Sequence, residues 1–308
     1  NTAFFRPVRF ALLMAMLTGT AFAQDVQGIK PANLKDADLD LMNNHDPASQ
    51  LENFELLPGY QVNLFAADPM FANPVHMQWD SKGRLWVACS WAYPQLKPGE
   101  VANDKIIILE DTDDDGVADK STVFADGLYL PTGIELANGG CYVAQSPDVF
   151  FLKDLDGDEV ADVKDVVLTG FGIEDSHHSI SAWRRGPGGW IYFQEGIFLH
   201  AQVETRYGVV RNFNGGVYQF NPRTQELRMF CRGTGGNPWG HVFDRWGQSF
   251  MVNNPRIMYL SPATGNSGEA IQVKPLISTE KQCGGDFATG SHIGDDLHGQ
   301  LLTGRFKS

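Results

Sequence analysis

One phrase recurs four times in this chain, and it constrains the fold more than any other feature. Asn73 to Val87 reads as a strand, a polar turn holding Gly83, and a second strand. Pro131 to Val143 repeats it with a turn at Asn138-Gly139-Gly140, and His178 to Tyr192 repeats it with a turn at Gly186-Pro187-Gly188-Gly189. Asn237 to Val252, with Gly247 in its turn, is the fourth copy. The copies start roughly 45 to 60 residues apart, the period of β-propeller blades. A unit this small cannot bury both faces of its sheet, so neighbours must stack around an axis. The expected fold is therefore all-β, a β-propeller. A β-sandwich would need Gly to fall at the same offset four times by coincidence. A fifth unit is expected to begin near Gly290, and the pattern stops in a strand at Leu301 to Ser308, so about four to five blades are expected, truncated at the C-terminus.

Composition agrees. Of 308 residues 33 are Gly, the residue that tight turns use where φ is positive. An apolar content of 43%, with 20 Phe and 7 Trp, excludes disorder. With 24 Lys+Arg against 37 Asp+Glu the formal net charge is −13, which excludes a nucleic-acid binder, because phosphates need a basic surface.

Arg6 and Arg9 precede an uncharged apolar run, Phe10 to Leu17, and Ala21-Phe22-Ala23 follows as a small-x-small cleavage pattern. Residues 1–23 are expected to be a signal peptide with Gln24 as the mature N-terminus. The run is too short to cross about 30 Å of hydrocarbon, so no transmembrane span is expected and the mature chain is expected to be exported, periplasmic or cell-envelope associated. Residues 24–52 are expected to be a linker with a short helix around Asn33 to Met42, and residues 53–308 the propeller. Strand signals begin with Tyr60, Val62 and Leu64, and Ile106 to Leu109 is a buried-type run. Export permits disulfides among Cys89, Cys141, Cys231 and Cys283. Three pairings are open to four cysteines, and separate buried thiols fit as well. No Cys-x-x-Cys-His occurs for covalent haem.

Two acidic loops align without gaps. Asp111, Asp113, Asp115 and Asp119 occupy positions 1, 3, 5 and 9 of one, and Asp154, Asp156, Asp158 and Asp162 the same positions of the other. Alternate carboxylates in a tight loop supply the oxygens a calcium ion takes, and the carboxylates would repel one another without a counter-ion. Position 12 is Thr122 or Asp165, not Glu, and strand-like runs flank both loops. They are expected to be structural calcium clips rather than sensor switches; a solvated acidic turn is the alternative.

His177 and His178 form a pair in a loop before a blade's first strand, where propellers bind ligands. His200 follows the next strand, and His76 and His241 lie in the first and fourth copies of the repeat. An imidazole at a channel mouth can act as a general base near neutral pH, or simply hold a loop.

His178, Gly186-Pro187, Trp190-Ile191-Tyr192 and Gly196 resemble the His…Gly-Pro-Asp-Gly-x-Leu-Tyr…Gly stretch of soluble quinoprotein glucose/sorbosone dehydrogenases. Asn237-Pro238-Trp239-Gly240 resembles their Asn-Pro-x-Gly element. The resemblance implies a six-bladed propeller when complete, pyrroloquinoline quinone at the channel mouth, and His178 or His177 as the base that takes a substrate hydroxyl proton. More closely, Leu57-Pro58-Gly59-Tyr60, Ile107 to Asp111, Asp175 to His178, Gln202 to Thr205 and Asn237 to Asp244 are similar to the membrane-bound dehydrogenase domain of planctomycete and verrucomicrobial exported proteins. That family implies a cytochrome c module as electron acceptor, outside this sequence. On this resemblance His200, Arg206, Arg211, Asn237 and His241 are the expected cofactor contacts. Two departures stand out. Gly236 replaces the Arg that precedes Asn-Pro-x-Gly, and Gly188 replaces the turn Asp. A quinone with three carboxylates would then need Arg184, Arg185, Arg206 or Arg211.

Three functions follow as expectations. The first is a dehydrogenase oxidising a sugar or alcohol. The second is a non-catalytic, calcium-stabilised propeller that binds glycans or partner proteins. The third is a metal-dependent lactonase-type propeller, for which Glu135, Glu195 and Asp244 are the candidate inward acids.

Overall fold

The computed structural model describes residues 46–253, 256–261, 268–274, 282–290 and 293–305. The expected signal peptide, the helix expected around Asn33 to Met42 and most of the expected linker lie outside the described residues. The end of the linker forms a one-turn helix, Pro47–Gln50, capped by the Asp46 side chain on the Ser49 N–H.

Each copy of the repeat is the first strand pair of a four-stranded antiparallel meander. Blade 1 is β1 (Pro74–Trp79), β2 (Leu85–Cys89), β3 (Asp104–Glu110) and β4 (Lys120–Leu128). Blade 2 is β5 (Gly133–Ala137), β6 (Gly140–Gln145), β7 (Asp148–Lys153) and β8 (Val163–Thr169). Blade 3 starts with β9 (Ser181–Arg185) and β10 (Ile191–Glu195), makes an excursion through the hairpin β11 (His200–Thr205) and β12 (Gly208–Phe213), and ends with β13 (Gly216–Asn221) and β14 (Glu226–Arg232). Blade 4 is β15 (Pro238–Phe243), β16 (Ser249–Asn253), β17 (Arg256–Leu260) and β18 (Ala270–Gln272). A two-stranded unit follows, β19 (Gln282–Phe287) with β20 (Leu301–Arg305), so the fifth unit starts before Gly290, where the sequence pattern placed it.

The first strands line up side by side: β1 beside β5, β5 beside β9, β9 beside β15 and β15 beside β19. They surround the axis, and the protein is a β-propeller. Apolar side chains on facing sheets fill the wedges between blades. Ile106, Ile108, Ile134 and Val143 pack between blades 1 and 2, and Val149, Ile180, Phe193 and Tyr218 between blades 2 and 3. Each such side chain contributes about 1.5–3 kcal/mol by leaving water. The inner strands approach closely enough to demand Gly133. A Cβ there would stand 2.1 Å from Cδ1 of Trp183, whose indole stacks on Phe193 at 4.3 Å.

Tyr60, Val62 and Leu64 do not form one of these strands. Their segment crosses the outer face of blade 1, where Phe65 and Phe71 cover Leu85, Val87 and Leu109, and the Phe65 carbonyl accepts the Ala118 N–H. The cysteines are four separate thiols, three of them buried. Burial pushes the Cys89 thiol up to about 12 and Cys231 to about 11, which keeps both protonated. No helix among the described residues is long and apolar enough to cross a membrane.

The meander sorts loops by end. Links from second to third strand, and from one blade to the next, return to the end where each inner strand begins; this is the mouth. Links from first to second and from third to fourth strand lie at the far end. Both acidic loops join third to fourth strands, so topology separates them from His177 and His178 by the length of a blade.

Candidate functional site

Four of the five first strands, β1, β9, β15 and β19, lose register near the mouth, and the first three of these shifts border one cavity. β1 shifts between Pro74 and His76, β9 between Ser181 and Arg184, and β15 between Pro238 and Gly240. Val75, Ala182 and Trp239, within these shifts, all line one cavity of about 450 Å³. A bulge bends a strand and re-aims its side chains. Ala182 adopts φ +51°, a left-handed conformation that costs a non-glycine residue about 1–3 kcal/mol and is retained where surrounding structure enforces it.

Loops from four blades complete the cavity. Tyr93 comes from the β2–β3 link, Thr132 from the β4–β5 link, Ser176 to Ser179 from the β8–β9 link, and Asn237 from the β14–β15 link. The Thr132 hydroxyl donates to the Ile180 carbonyl at 2.7 Å and fastens two of these links together.

Asp175 organises the histidines. Its Oδ1 accepts from the His177 backbone N–H at 2.9 Å and lies 3.0 Å from His177 Nδ1. Partial burial would raise the Asp175 carboxyl, but those hydrogen bonds and the neighbouring imidazoles pull it below the ordinary carboxylate range. An ionised carboxylate only accepts, so Nδ1 of His177 is the donor in this contact and Nε2 is the ring nitrogen left for a ligand. The His177 ring meets the edge of Tyr93 at 5.4 Å and is more than half exposed. His178 differs. It is largely buried, its Nε2 is 3.9 Å from Asp175 Oδ2, and its ring lies against Phe198. Desolvation by burial lowers its pKa in spite of Asp175, which favours the neutral ring. Both rings line the cavity, and His177 has the geometry of an oriented base.

The other expected contacts disperse. Asn237 lines the cavity and His200 does not; its Nδ1 lies 3.0 Å from Glu174 Oε1 and its ring packs on Phe213. Arg206 stacks over Tyr207 at the hairpin turn, and Arg211 donates to Gln202 across β11–β12. That hairpin lies along blades 2 and 3, with Ala201 and Val203 in the core between them. His241 is buried against Tyr192 and Phe243, with Nε2 2.6 Å from the Ser249 hydroxyl, because it faces blade 3 and not the mouth. Burial brings its pKa down to about 3. His76, by contrast, reaches the cavity wall, though burial lowers it to about 4 and its Nδ1 accepts from the Ile134 N–H.

The three candidate inward acids do not converge. Glu195 is fully buried and accepts from Tyr218, Asn212 and the Gly172 N–H. Glu135 takes Gln78, and Asp244 closes the β15–β16 turn by accepting from the Trp246 and Gln248 N–H groups.

A quinone tricarboxylate does not fit this cavity. Among the described residues no Lys or Arg lines it. Arg184 pairs with Asp286, Arg185 reaches the Leu136 carbonyl, and Arg206 and Arg211 are on the hairpin.

At the far end each acidic loop gathers three carboxylates whose oxygens lie within 4.8 Å of one another: Asp111, Asp113 and Asp115 in one, and Asp154, Asp156 and Asp162 in the other. Asp119 instead accepts from Thr112, and Asp158 from the Val160 N–H. Hydrogen bonds, first from the Gly157 N–H, hold Asp154 below its usual range. Glu159, in the second loop, ion-pairs with Arg84 and with Lys120 at 2.8 Å, tying blade 2 to blade 1.

A family model described as a domain of unknown function, DUF7133, matches residues 46–284. The chain belongs to this family. No curated protein matches it. Among solved structures, this DUF7133 chain is similar to a chain of the nidogen/laminin complex, at 14% identity and a TM-score of 0.48 over 73% of this chain and 72% of that one. It is also similar to virginiamycin B lyase from Staphylococcus aureus, at 12% identity and a TM-score of 0.45 over 76% and 70%. The DUF7133 description assigns no activity: the propeller is shown, the dehydrogenase is not.

Sequence reasoning named the two imidazoles but not their partners. Asp175 could have been found as an acid two residues before His177. Tyr93 carries no local signal, because only the side-by-side packing of the blades brings its loop next to His177.

Proposed function

We propose that the mouth of this DUF7133 propeller binds a neutral, hydroxylated molecule, a sugar or an alcohol, and that His177 removes a proton from it. The observation that carries this reading is the Asp175–His177 contact in a cavity walled by Tyr93, Trp239, Ser176, Ser181, Thr132 and Asn237. Aromatic faces stack on the C–H face of a sugar ring, and hydroxyl and amide groups bond its oxygens. With no Lys or Arg in the wall among the described residues, a neutral ligand is favoured over an anionic one.

The step balances on the chain's own groups. A substrate proton moves to Nε2 of His177, the imidazole becomes imidazolium, and the Asp175 carboxylate stabilises the new charge. Positioned bases of this kind contribute about 10²–10⁴-fold. Oxidation would also need a hydride acceptor, which these side chains do not supply. The leader pattern of residues 1–23 supports an exported location, and the two Asp triads support bound calcium at the far end.

The misfit of the quinone favours a second reading, a glycan-binding propeller without turnover. One experiment separates them. A panel of neutral sugars and alcohols is titrated calorimetrically, and product formation is followed in parallel for the wild type, His177→Gln and Asp175→Asn. An enzyme shows turnover that falls about 10²-fold or more in both variants while affinity changes little. Saturable binding with no product supports the second reading, and no binding to any member sinks both.

A further inference from the structure

The β2–β3 link, from Ser90 to Asn103, lies at the mouth, and it walls two cavities rather than one. Tyr93 faces the cavity of His177. Two residues earlier, Trp91 lines a neighbouring cavity of about 490 Å³, together with Leu96, Glu100, Asn103 and Lys105. Nothing in the mechanism above uses this second space.

The strap between the cavities is held from below. Asp104 is completely buried and accepts from the Ser90 hydroxyl at 2.8 Å, the Ala92 N–H at 3.0 Å and the Leu130 N–H at 2.8 Å. A carboxylate with three donors fixes the loop backbone, so Tyr93 and Trp91 keep their places on either side. Trp91 is 46% exposed, and the Lys105 ammonium stands 5.9 Å from its ring centroid. Asn103 Oδ1 accepts from the Gly127 N–H, which leaves its amide hydrogens for a ligand. Like the first cavity, the second sets an aromatic residue beside mixed donors and acceptors, though it adds the opposite charges of Glu100 and Lys105. A phosphate is disfavoured, because Lys105 is offset by Glu100 and Asp104.

We infer that the mouth's ligand is a chain of at least two neutral sugar units, with the second unit seated on Trp91. This rests on the reading of the mouth as a site for neutral hydroxylated molecules. Two platforms joined by a rigid strap gain affinity with ligand length, since the second contact becomes intramolecular.

The test is a calorimetric series of malto- and cello-oligosaccharides, from the monosaccharide upward, against the wild type, Trp91→Ala and Trp91→Phe. The expected result is affinity that rises from one unit to two or three. Trp91→Ala should cancel that rise, about ten-fold or more, with monosaccharide affinity unchanged, and Trp91→Phe should keep most of it. If monosaccharides bind but length brings no gain, or Trp91→Ala weakens all lengths equally, the second subsite is wrong and the mouth reading stands. If no member of the series binds, both fail.

Discussion

A Cβ at position 196 would stand 2.2 Å from Nδ1 of His178, so Gly196 is the floor on which that imidazole lies. The Gly196 N–H also donates to the His178 carbonyl at 2.9 Å, which joins blade 3's inner sheet to the histidine loop. Gly196→Ala should therefore push His178 toward the cavity. Overpacking of this kind costs about 1–3 kcal/mol. The expected outcome is a lower melting temperature together with weaker ligand binding; unchanged values of both would show that the ring is not confined there.

The far-end loops are tested by calcium. Calcium should raise the melting temperature of the wild type, and Asp113→Ala and Asp156→Ala should each remove part of the gain. Identical melting curves with calcium and with chelator would contradict a bound ion.

Glu159 makes a separate prediction. Its carboxyl is held low, first by the Lys120 hydrogen bond, and its partner Arg84 is nearly buried. Glu159→Gln keeps the shape and removes the charge that joins blades 1 and 2. A loss of about 1–2 kcal/mol is expected in denaturant unfolding, reduced because Arg84 retains Asp80 at 2.8 Å. A variant as stable as the wild type would show that the clamp does not matter.

Acid should destabilise the fold through two histidines. Burial lowers His76 to about 4 and His241 to about 3. Unfolded imidazoles take up protons below about pH 6.5 while the folded ones do not. Stability is thus complete above pH 6.5 and declines as pH falls toward 4 and then 3, by about 1.4 kcal/mol per unit for each group. His241→Asn should flatten this decline; an unaltered pH profile would contradict the buried neutral state.

The inner strand pairs were legible because each turns on a polar, Gly-containing link and its second strand is a short buried run. The outer strands were less so, since β4 and β8 carry mostly exposed residues with little pattern. The β11–β12 hairpin was hidden because it interrupts blade 3 between its second and third strands, where no repeat marks it. Tyr60 to Leu64 alternate as a strand would, but serve as a cover on blade 1. His241 misleads for a geometric reason. The shift between Pro238 and Gly240 changes which side of β15 each later residue faces, and it turns this imidazole onto blade 3. Arg206 and Arg211 sit on a hairpin that sequence did not show, so their distance from the mouth could not be read. His177 and His178 were found by their loop position and by the dehydrogenase resemblance, whereas Asp175 became meaningful only once its Oδ1 met Nδ1 of His177.

The most direct measurement is calorimetric titration of neutral sugars and alcohols into the wild-type protein and into Asn237→Ala, which alters the cavity wall without touching either imidazole. Saturable binding of a neutral compound, weakened about ten-fold by Asn237→Ala and absent for a sugar acid, is the expected result. Binding indifferent to that variant, or preference for the anionic compound, would contradict a neutral hydroxylated ligand at the mouth.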